Sequence, residues 1–137
     1  MHIYFKEARG CEGRGQFFDN NGIVRDVMQN HMMQIFSFMA MECPTSLDAR
    51  TIADQKTKFL EEVEPVDPKD CLYGQYTASD KGKGYREEET VLDKNSTTPT
   101  YCACVLRVRN QRWECVPFLL KAGKALNENL MEIRIRK

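Results

Sequence analysis

The sequence predicts an α+β fold, in which an antiparallel or mixed β-sheet is covered on one face by helices. Three observations support this prediction. Short β-favouring segments open and close the chain, at residues 2–5 and 131–135. In the second half, residues 100–108 and 113–120 form a pair of strand-like segments around a turn. The long helix-favouring segments lie in the first half.

The first predicted helix runs from Ile23 to about Met41, where glycine and proline are absent. Residues 10–15 hold three glycines and predict a loop, and residues 20–22 predict a turn. Spaced at about 100° per residue, Asp26 falls on a polar stripe and His31 on its border. The apolar residues gather on another side of the same helix: Val24, Met28, Met32, Ile35, Phe36 and Met39.

Pro44 ends this helix, and Ser46 or Asp48 can cap a second, amphipathic helix that reaches about Glu62. Residues 72–76 predict a short strand. The polar segment 77–99 predicts an exposed loop. A sheet that stops where the chain stops would leave unpaired edges, so we expect these strands to belong to a larger sheet.

Composition excludes several classes of protein. The chain has 137 residues, with 20 basic and 20 acidic side chains, so no overall charge draws it to nucleic acid or to a membrane surface. Six cysteines without a C-x-x-C pair, together with two histidines, predict reduced thiols and no metal site. Cys102 and Cys104 would share one face of a strand. The spacing of the glycines in residues 10–15 is not that of a dinucleotide-binding loop.

The residues best suited to chemistry are Asp26 and His31, on one helix. A histidine at the border of a polar stripe can accept a proton from a substrate hydroxyl. Taken alone, a helical histidine is more often a structural residue, and the carboxylate is more often a solvated surface charge. The local pattern leaves both readings open.

The chain also carries a series of short motifs in a fixed order: Glu12-Gly13-Arg14-Gly15, Phe18-Asp19, Gly22-Ile23-Val24-Arg25-Asp26-Val27-Met28-Gln29-Asn30-His31, Gly74-Gln75-Tyr76, Arg112-Trp113, Val116-Pro117-Phe118 and Gly123-Lys124-Ala125-Leu126-Asn127-Glu128. Over essentially the whole chain, this series resembles the glucose-6-phosphate dehydrogenase family. The resemblance implies part of the C-terminal β+α domain of that enzyme. Residues 1–137 would then belong to the substrate-binding and dimerisation domain.

The resemblance also implies an activity and the residues that serve it. The family oxidises glucose 6-phosphate to 6-phosphoglucono-lactone and transfers hydride to NADP, in the first step of the pentose phosphate pathway. His31 matches the general base that takes the proton of the C1 hydroxyl. Glu7 and Asp26 match carboxylates that bind the sugar, and Lys124 matches a substrate-binding lysine.

A second, structural NADP is held by basic residues in many eukaryotic members of the family. Lys6, Lys121 and Arg134 keep basic character at such positions. Asn129 and Leu130 stand where arginine and lysine are expected, which argues against a site of the family type.

The family's Rossmann domain and its Asp-His-Tyr-Leu-Gly-Lys segment have no counterpart in these residues. We therefore expect a fragment that is inactive alone, cut from a cytoplasmic homodimer or homotetramer, or from a plastid or other organellar form if a transit peptide is missing. The choice between NADP and NAD lies in the absent domain. The alternative is a non-catalytic interaction or oligomerisation module derived from the same enzyme.

Overall fold

The computed structural model of the chain describes residues 1–80 and 82–136, which contain a five-stranded sheet with helices on one face. The sheet has the order β2-β3-β4-β1-β5. Strands β1 and β4 are parallel, and every other neighbouring pair is antiparallel, so the mixed sheet is confirmed. The strands are β1 (His2–Lys6), β2 (Cys71–Gly74), β3 (Tyr101–Leu106), β4 (Phe118–Gly123) and β5 (Leu130–Arg134).

Strand β1 lies inside the sheet. Its Ile3 pairs with Leu120 of β4 on one side and with Ile133 of β5 on the other. The edge strands are β2 and β5. The expected unpaired edges are therefore those of β2 and β5 and not that of β1, because β5 returns beside β1 and satisfies its second row of backbone groups.

The helical layer begins earlier than the sequence predicted. Helix α1 (Gly15–Ile23) starts in the glycine-rich segment that we expected to be a loop. Gly15 is needed for close packing, because a Cβ there would lie 2.6 Å from the backbone nitrogen of Val91. The predicted turn appears as a kink at Gly22, where φ is 65° and ψ is 173°. A side chain in that conformation would be strained.

After the kink the chain forms a π-helical segment (Val24–Met32), helix α2 (Met33–Ala40) and helix α3 (Ala49–Glu61). Asp48 caps α3 by accepting a hydrogen bond from the Thr51 backbone N–H at 3.0 Å, as predicted. No helix within residues 1–80 and 82–136 combines the length and hydropathy that crossing a membrane requires.

The core lies between the helices and one face of the sheet. The Phe36 ring of α2 meets Phe118 of β4 at 4.8 Å and Phe59 of α3 at 5.0 Å, both edge to face. Cys102 and Cys104 both point into this core, and their side chains are buried free thiols. The predicted common face of these two cysteines is confirmed. The π-helical segment packs against β1 and β4 and so carries its polar residues to their ends.

The start of β4 and the exposure of the loop of residues 77–99 differ from the prediction. Strand β4 begins at Phe118, since Trp113 lies in a turn, donates its indole N–H to the Ala40 carbonyl at 2.8 Å and packs on the Phe118 ring. The loop of residues 77–99 is not exposed throughout, because Tyr85 is fully buried there and packs against Phe18 of α1. Aromatic burial, which polarity patterns do not reveal, explains both differences.

Asp19 ties α1 to this loop. Its carboxylate accepts hydrogen bonds from Tyr85 Oη at 2.8 Å and from Ser96 Oγ. Burial alone would raise the pKa of Asp19, but the hydrogen bonds outweigh burial and hold that pKa below its ordinary value of 3.8. A lowered folded-state pKa gives stability above the unfolded-state pKa, and this stability is lost as the pH falls through the folded value.

We therefore predict that Asp19→Asn lowers the free energy of unfolding at neutral pH by about 1 to 2 kcal/mol. The difference between wild type and variant should shrink below about pH 4, because the wild-type carboxylate is then becoming protonated. Urea denaturation, followed through the fluorescence of Trp113, the single tryptophan, measures both values. An equal difference in acid and at neutral pH would contradict the role assigned to the carboxylate.

Candidate functional site

The fold brings together three charged residues that are far apart in the sequence: Glu7, Asp26 and Lys124. The Lys124 Nζ lies 2.5 Å from Glu7 Oε2 and 3.9 Å from Asp26 Oδ2. The Lys124 side chain is only 10% exposed, whereas those of Glu7 and Asp26 are 34% and 22% exposed. The three residues that the sequence assigned to substrate binding therefore share one partly buried cluster, which we call the charged triad.

The sheet topology explains this meeting. Glu7 follows β1 and Lys124 follows β4, and the ends of parallel neighbours lie at the same edge of a sheet. The Glu7 N–H donates to the Gly123 carbonyl and the Leu126 N–H donates to the Glu7 carbonyl, each at 2.9 Å. These backbone bonds fix Glu7 and Lys124 relative to each other. Asp26 reaches the same place from the π-helical segment.

The charged triad borders a pocket of about 240 Å³. Arg9, Arg14 and Phe18 also line it, and the Lys124 ammonium lies 5.3 Å from the centre of the Phe18 ring. Carboxylates at such a site can accept hydrogen bonds from hydroxyl groups, and the cations can attract an anionic group. The Glu12 carboxylate also lines the pocket, so three carboxylates balance three cations, and the pocket suits a small polyhydroxylated ligand.

His31 is not one of the described residues that line this pocket. It belongs to the π-helical segment that also carries Asp26, and its ring is stacked on Phe5 of β1, with centroids 5.8 Å apart and planes 14° apart. Within residues 1–80 and 82–136 the His31 ring makes no hydrogen bond, and its side chain is exposed. This open position leaves the ring free to meet a ligand.

The π-helical geometry changes the relation between Asp26 and His31. In an α-helix, residues five apart point about 140° away from each other, at about 100° per residue. A π-helix makes wider turns, with hydrogen bonds between residues five apart, and brings such residues toward one face. At the end of the segment, the Met33 N–H donates to the Met28 carbonyl in this pattern. The sequence predicted an α-helix here, with Asp26 on a polar stripe and His31 at its border, whereas the π-helical geometry turns the two residues toward one face.

The loop before α1 shapes one side of the pocket. The Cys11 N–H donates to Tyr76 Oη at 3.0 Å, which anchors this loop to the segment after β2. Burial raises the pKa of the Cys11 thiol to about 12. Cys11 is therefore a neutral wall of the pocket and not a nucleophile.

Phe18 was named only within the Phe18-Asp19 motif, and neither Phe5 nor Phe18 was predicted to line or support the site. Phe5 precedes Glu7 by two residues on one strand, so alternation along β1 places both side chains on the same face. That pattern could have identified Phe5. No comparable signal existed for Phe18, because helix α1 was not predicted.

The residues predicted for a structural NADP lie on the opposite face of the sheet. The Lys121 ammonium and the Arg134 guanidinium flank the Tyr4 ring, at 5.6 Å and 5.2 Å from its centre. Arg134 pairs with Glu132 and Lys6 pairs with Glu128, each at 2.9 Å. The three basic residues are thus gathered on one face, but carboxylates already neutralise two of them.

Comparison with known proteins identifies strong similarities. The family model for the C-terminal domain of glucose-6-phosphate dehydrogenase matches residues 1–136. The glucose-6-phosphate 1-dehydrogenase of Emericella nidulans is 49% identical over 99% of this chain. A cytoplasmic form from Arabidopsis thaliana and a chloroplastic form from Spinacia oleracea are each 47% identical over 99% of the chain. The chain spans about a quarter of the length of these relatives, 27%, 25% and 24% respectively.

The fold shows the same likeness. A solved structure described as glucose-6-phosphate dehydrogenase in complex with its substrate glucose-6-phosphate superposes with a TM-score of 0.89 and 41% sequence identity. The superposition covers 95% of this chain and 27% of that one.

Proposed function

We propose that this chain, which belongs to the glucose-6-phosphate dehydrogenase family and matches the model of its C-terminal domain over residues 1–136, supplies the sugar site of an enzyme that oxidises glucose 6-phosphate to 6-phosphoglucono-lactone. The observation that carries the proposal is the charged triad, in which the buried Lys124 ammonium lies between Glu7 and Asp26. The relative solved with glucose 6-phosphate supports the choice of substrate.

In the proposed reaction, His31 is the general base. Its neutral imidazole accepts the proton of the C1 hydroxyl while the C1 hydrogen leaves as hydride, and the electron pair of the O–H bond forms the lactone carbonyl. The hydride acceptor is NADP, which would be bound by a domain outside these residues. The imidazole suits this task because its stacked face leaves the ring edge, with both nitrogens, open.

The charged triad would orient the sugar. Glu7 and Asp26 would accept hydrogen bonds from its hydroxyl groups, and Lys124 would donate to an oxygen of the bound sugar. The Lys124 ammonium already balances part of the negative charge of Glu7 and Asp26. When the sugar binds, contacts of these three residues with its oxygens would replace some of their contacts with one another. Such an arrangement positions a ligand without adding a large net charge.

The sheet face that carries Lys6, Lys121 and Arg134 does not fit a structural NADP. A dinucleotide carries several negative charges, but Lys6 and Arg134 are already paired with Glu128 and Glu132. Asn129 is also engaged, since its Oδ1 accepts the Ala8 N–H at 2.7 Å. Lys121 alone of the three basic residues is in no ion pair among residues 1–80 and 82–136. We therefore assign no second NADP to this chain.

For the whole protein we propose a cytoplasmic homodimer or homotetramer. The cytoplasmic Arabidopsis relative supports this compartment, and a plastid form such as the spinach relative is the alternative. The alternative function, a non-catalytic interaction module, predicts a complete protein without turnover.

The direct test compares the complete protein that carries this chain with the 137-residue chain alone. We expect the complete protein to reduce NADP when glucose 6-phosphate is added, and we expect the chain alone to be inactive, because the hydride acceptor lacks a binding domain there. Replacing NADP with NAD in the same assay determines the cofactor preference. A complete protein that releases no reduced nucleotide would refute the proposed function and favour the interaction module.

A further inference from the structure

The contact that holds the His31 ring comes from the strand that carries Glu7. Phe5 and His31 are stacked with their planes only 14° from parallel and their centroids 5.8 Å apart. Phe5 is partly buried against the hydrophobic core, so its own ring is held by packing. A fixed ring therefore lies against an exposed one.

Stacking restricts a motion that hydrogen bonds leave free. The χ2 angle of a histidine side chain has a broad distribution, so the ring plane can turn unless a neighbour limits it. A hydrogen bond to one ring nitrogen fixes that atom and the tautomer, but it still permits tilting of the plane. Among residues 1–80 and 82–136, His31 has no hydrogen-bond partner, and Phe5 is its one ring contact.

The same strand couples this contact to the sugar site. Phe5 and Glu7 alternate to one face of β1, and Phe5 pairs with Ala122 of β4 in the register that leads to Lys124. The Phe5 ring and two members of the charged triad, Glu7 and Lys124, are thus positioned by two paired strands, whereas Asp26 and His31 come from the π-helical segment. A rigid sheet can hold a base and a substrate in a constant relation.

We propose that Phe5 is a positioning residue for the proposed reaction, whose ring fixes the plane of the His31 imidazole so that a ring nitrogen points at the C1 hydroxyl of the bound sugar. The inference rests on the proposed function, because it assumes that His31 is the base. Phe5 is not one of the described residues that line the pocket of the charged triad, so we expect its effect to fall on the chemical step.

The test is a set of variants of the complete protein, assayed for kcat and for KM of glucose 6-phosphate. Phe5→Leu fills a similar volume without a flat face, and we expect kcat to fall about 5- to 10-fold while KM stays within about twofold. Phe5→Tyr keeps the ring and should retain kcat within about twofold. Thermal melting of each variant shows whether the fold is kept.

A double variant separates positioning from a general loss of structure. If Phe5 acts through the imidazole, Phe5→Leu should lower kcat no further in the His31→Asn background. An unchanged kcat in Phe5→Leu would overturn the inference, and so would a loss of the same size in both backgrounds. The proposed function fails differently, since it would be refuted by a wild type without turnover or by His31→Asn with normal kcat.

Discussion

Replacing His31 by asparagine in the complete protein should lower kcat for glucose 6-phosphate oxidation by about a thousandfold and leave KM within about threefold. Asparagine keeps a polar side chain of smaller size, but it cannot accept the hydroxyl proton at neutral pH. Steady-state kinetics with NADP measure both constants. The loss should appear in the chemical step because the role proposed for His31 is to take the proton of the C1 hydroxyl, whereas the charged triad would bind the sugar.

The second histidine provides a matched control. His2 lies on β1, and its Nδ1 is 3.0 Å from Tyr4 Oη, away from the charged triad. His2→Asn makes the same chemical change and should leave kcat within about twofold. If both variants lost activity equally, or if His31→Asn kept normal turnover, His31 would have no part in the mechanism.

Replacing Lys124 by methionine should have the largest effect on substrate binding. We expect KM for glucose 6-phosphate to rise about a hundredfold, because the variant removes a donor to the sugar and leaves the carboxylates of Glu7 and Asp26 without their cation. The same loss should lower the melting temperature. Initial rates over a range of sugar concentration measure the first effect, and calorimetry measures the second.

Two further variants separate binding from stability. Adding Glu7→Gln to Lys124→Met relieves the uncompensated charge, so the double variant should regain melting temperature but not affinity. Lys58→Met alters an exposed lysine on α3 and should change neither property. Recovery of normal KM in the double variant would show that Lys124 has a structural role only.

Local signals in the sequence predicted most of the elements. The Asp48 cap, the helix that follows it and the β-favouring segments at residues 2–5 and 131–135 all appear near the expected positions. Each depends on residues close in sequence, such as a side chain that bonds to a backbone N–H three residues on. The mixed sheet followed from these elements together.

The errors came from contacts between distant parts of the chain. Gly15, the first residue of α1, is a glycine because Val91 packs against it and leaves no room for a Cβ, whereas a glycine taken alone indicates a loop. Trp113 leaves its predicted strand because its indole finds the Ala40 carbonyl. The π-helical segment also lacks a local signature, since its residues are ordinary helix formers.

At the candidate site too, the residues could be identified from the sequence but the contacts between them could not. The helical pattern singled out Asp26 and His31, but their roles, and Glu7 and Lys124 altogether, came from resemblance to a family, because an isolated carboxylate or lysine is usually a surface charge. Their meeting depends on the parallel pairing of β1 with β4, which no local pattern shows. The stack of Phe5 on His31 depends on the same pairing and on the packing of the π-helical segment.

The most direct test of the account is a crystal structure of the complete protein with glucose 6-phosphate bound. We expect a ring nitrogen of His31 to lie within about 3.2 Å of the C1 hydroxyl oxygen, and the carboxylates of Glu7 and Asp26 to lie at hydrogen-bond distance from the sugar. A sugar bound elsewhere, with the imidazole too far away to take its proton, would contradict the role of His31 as the general base.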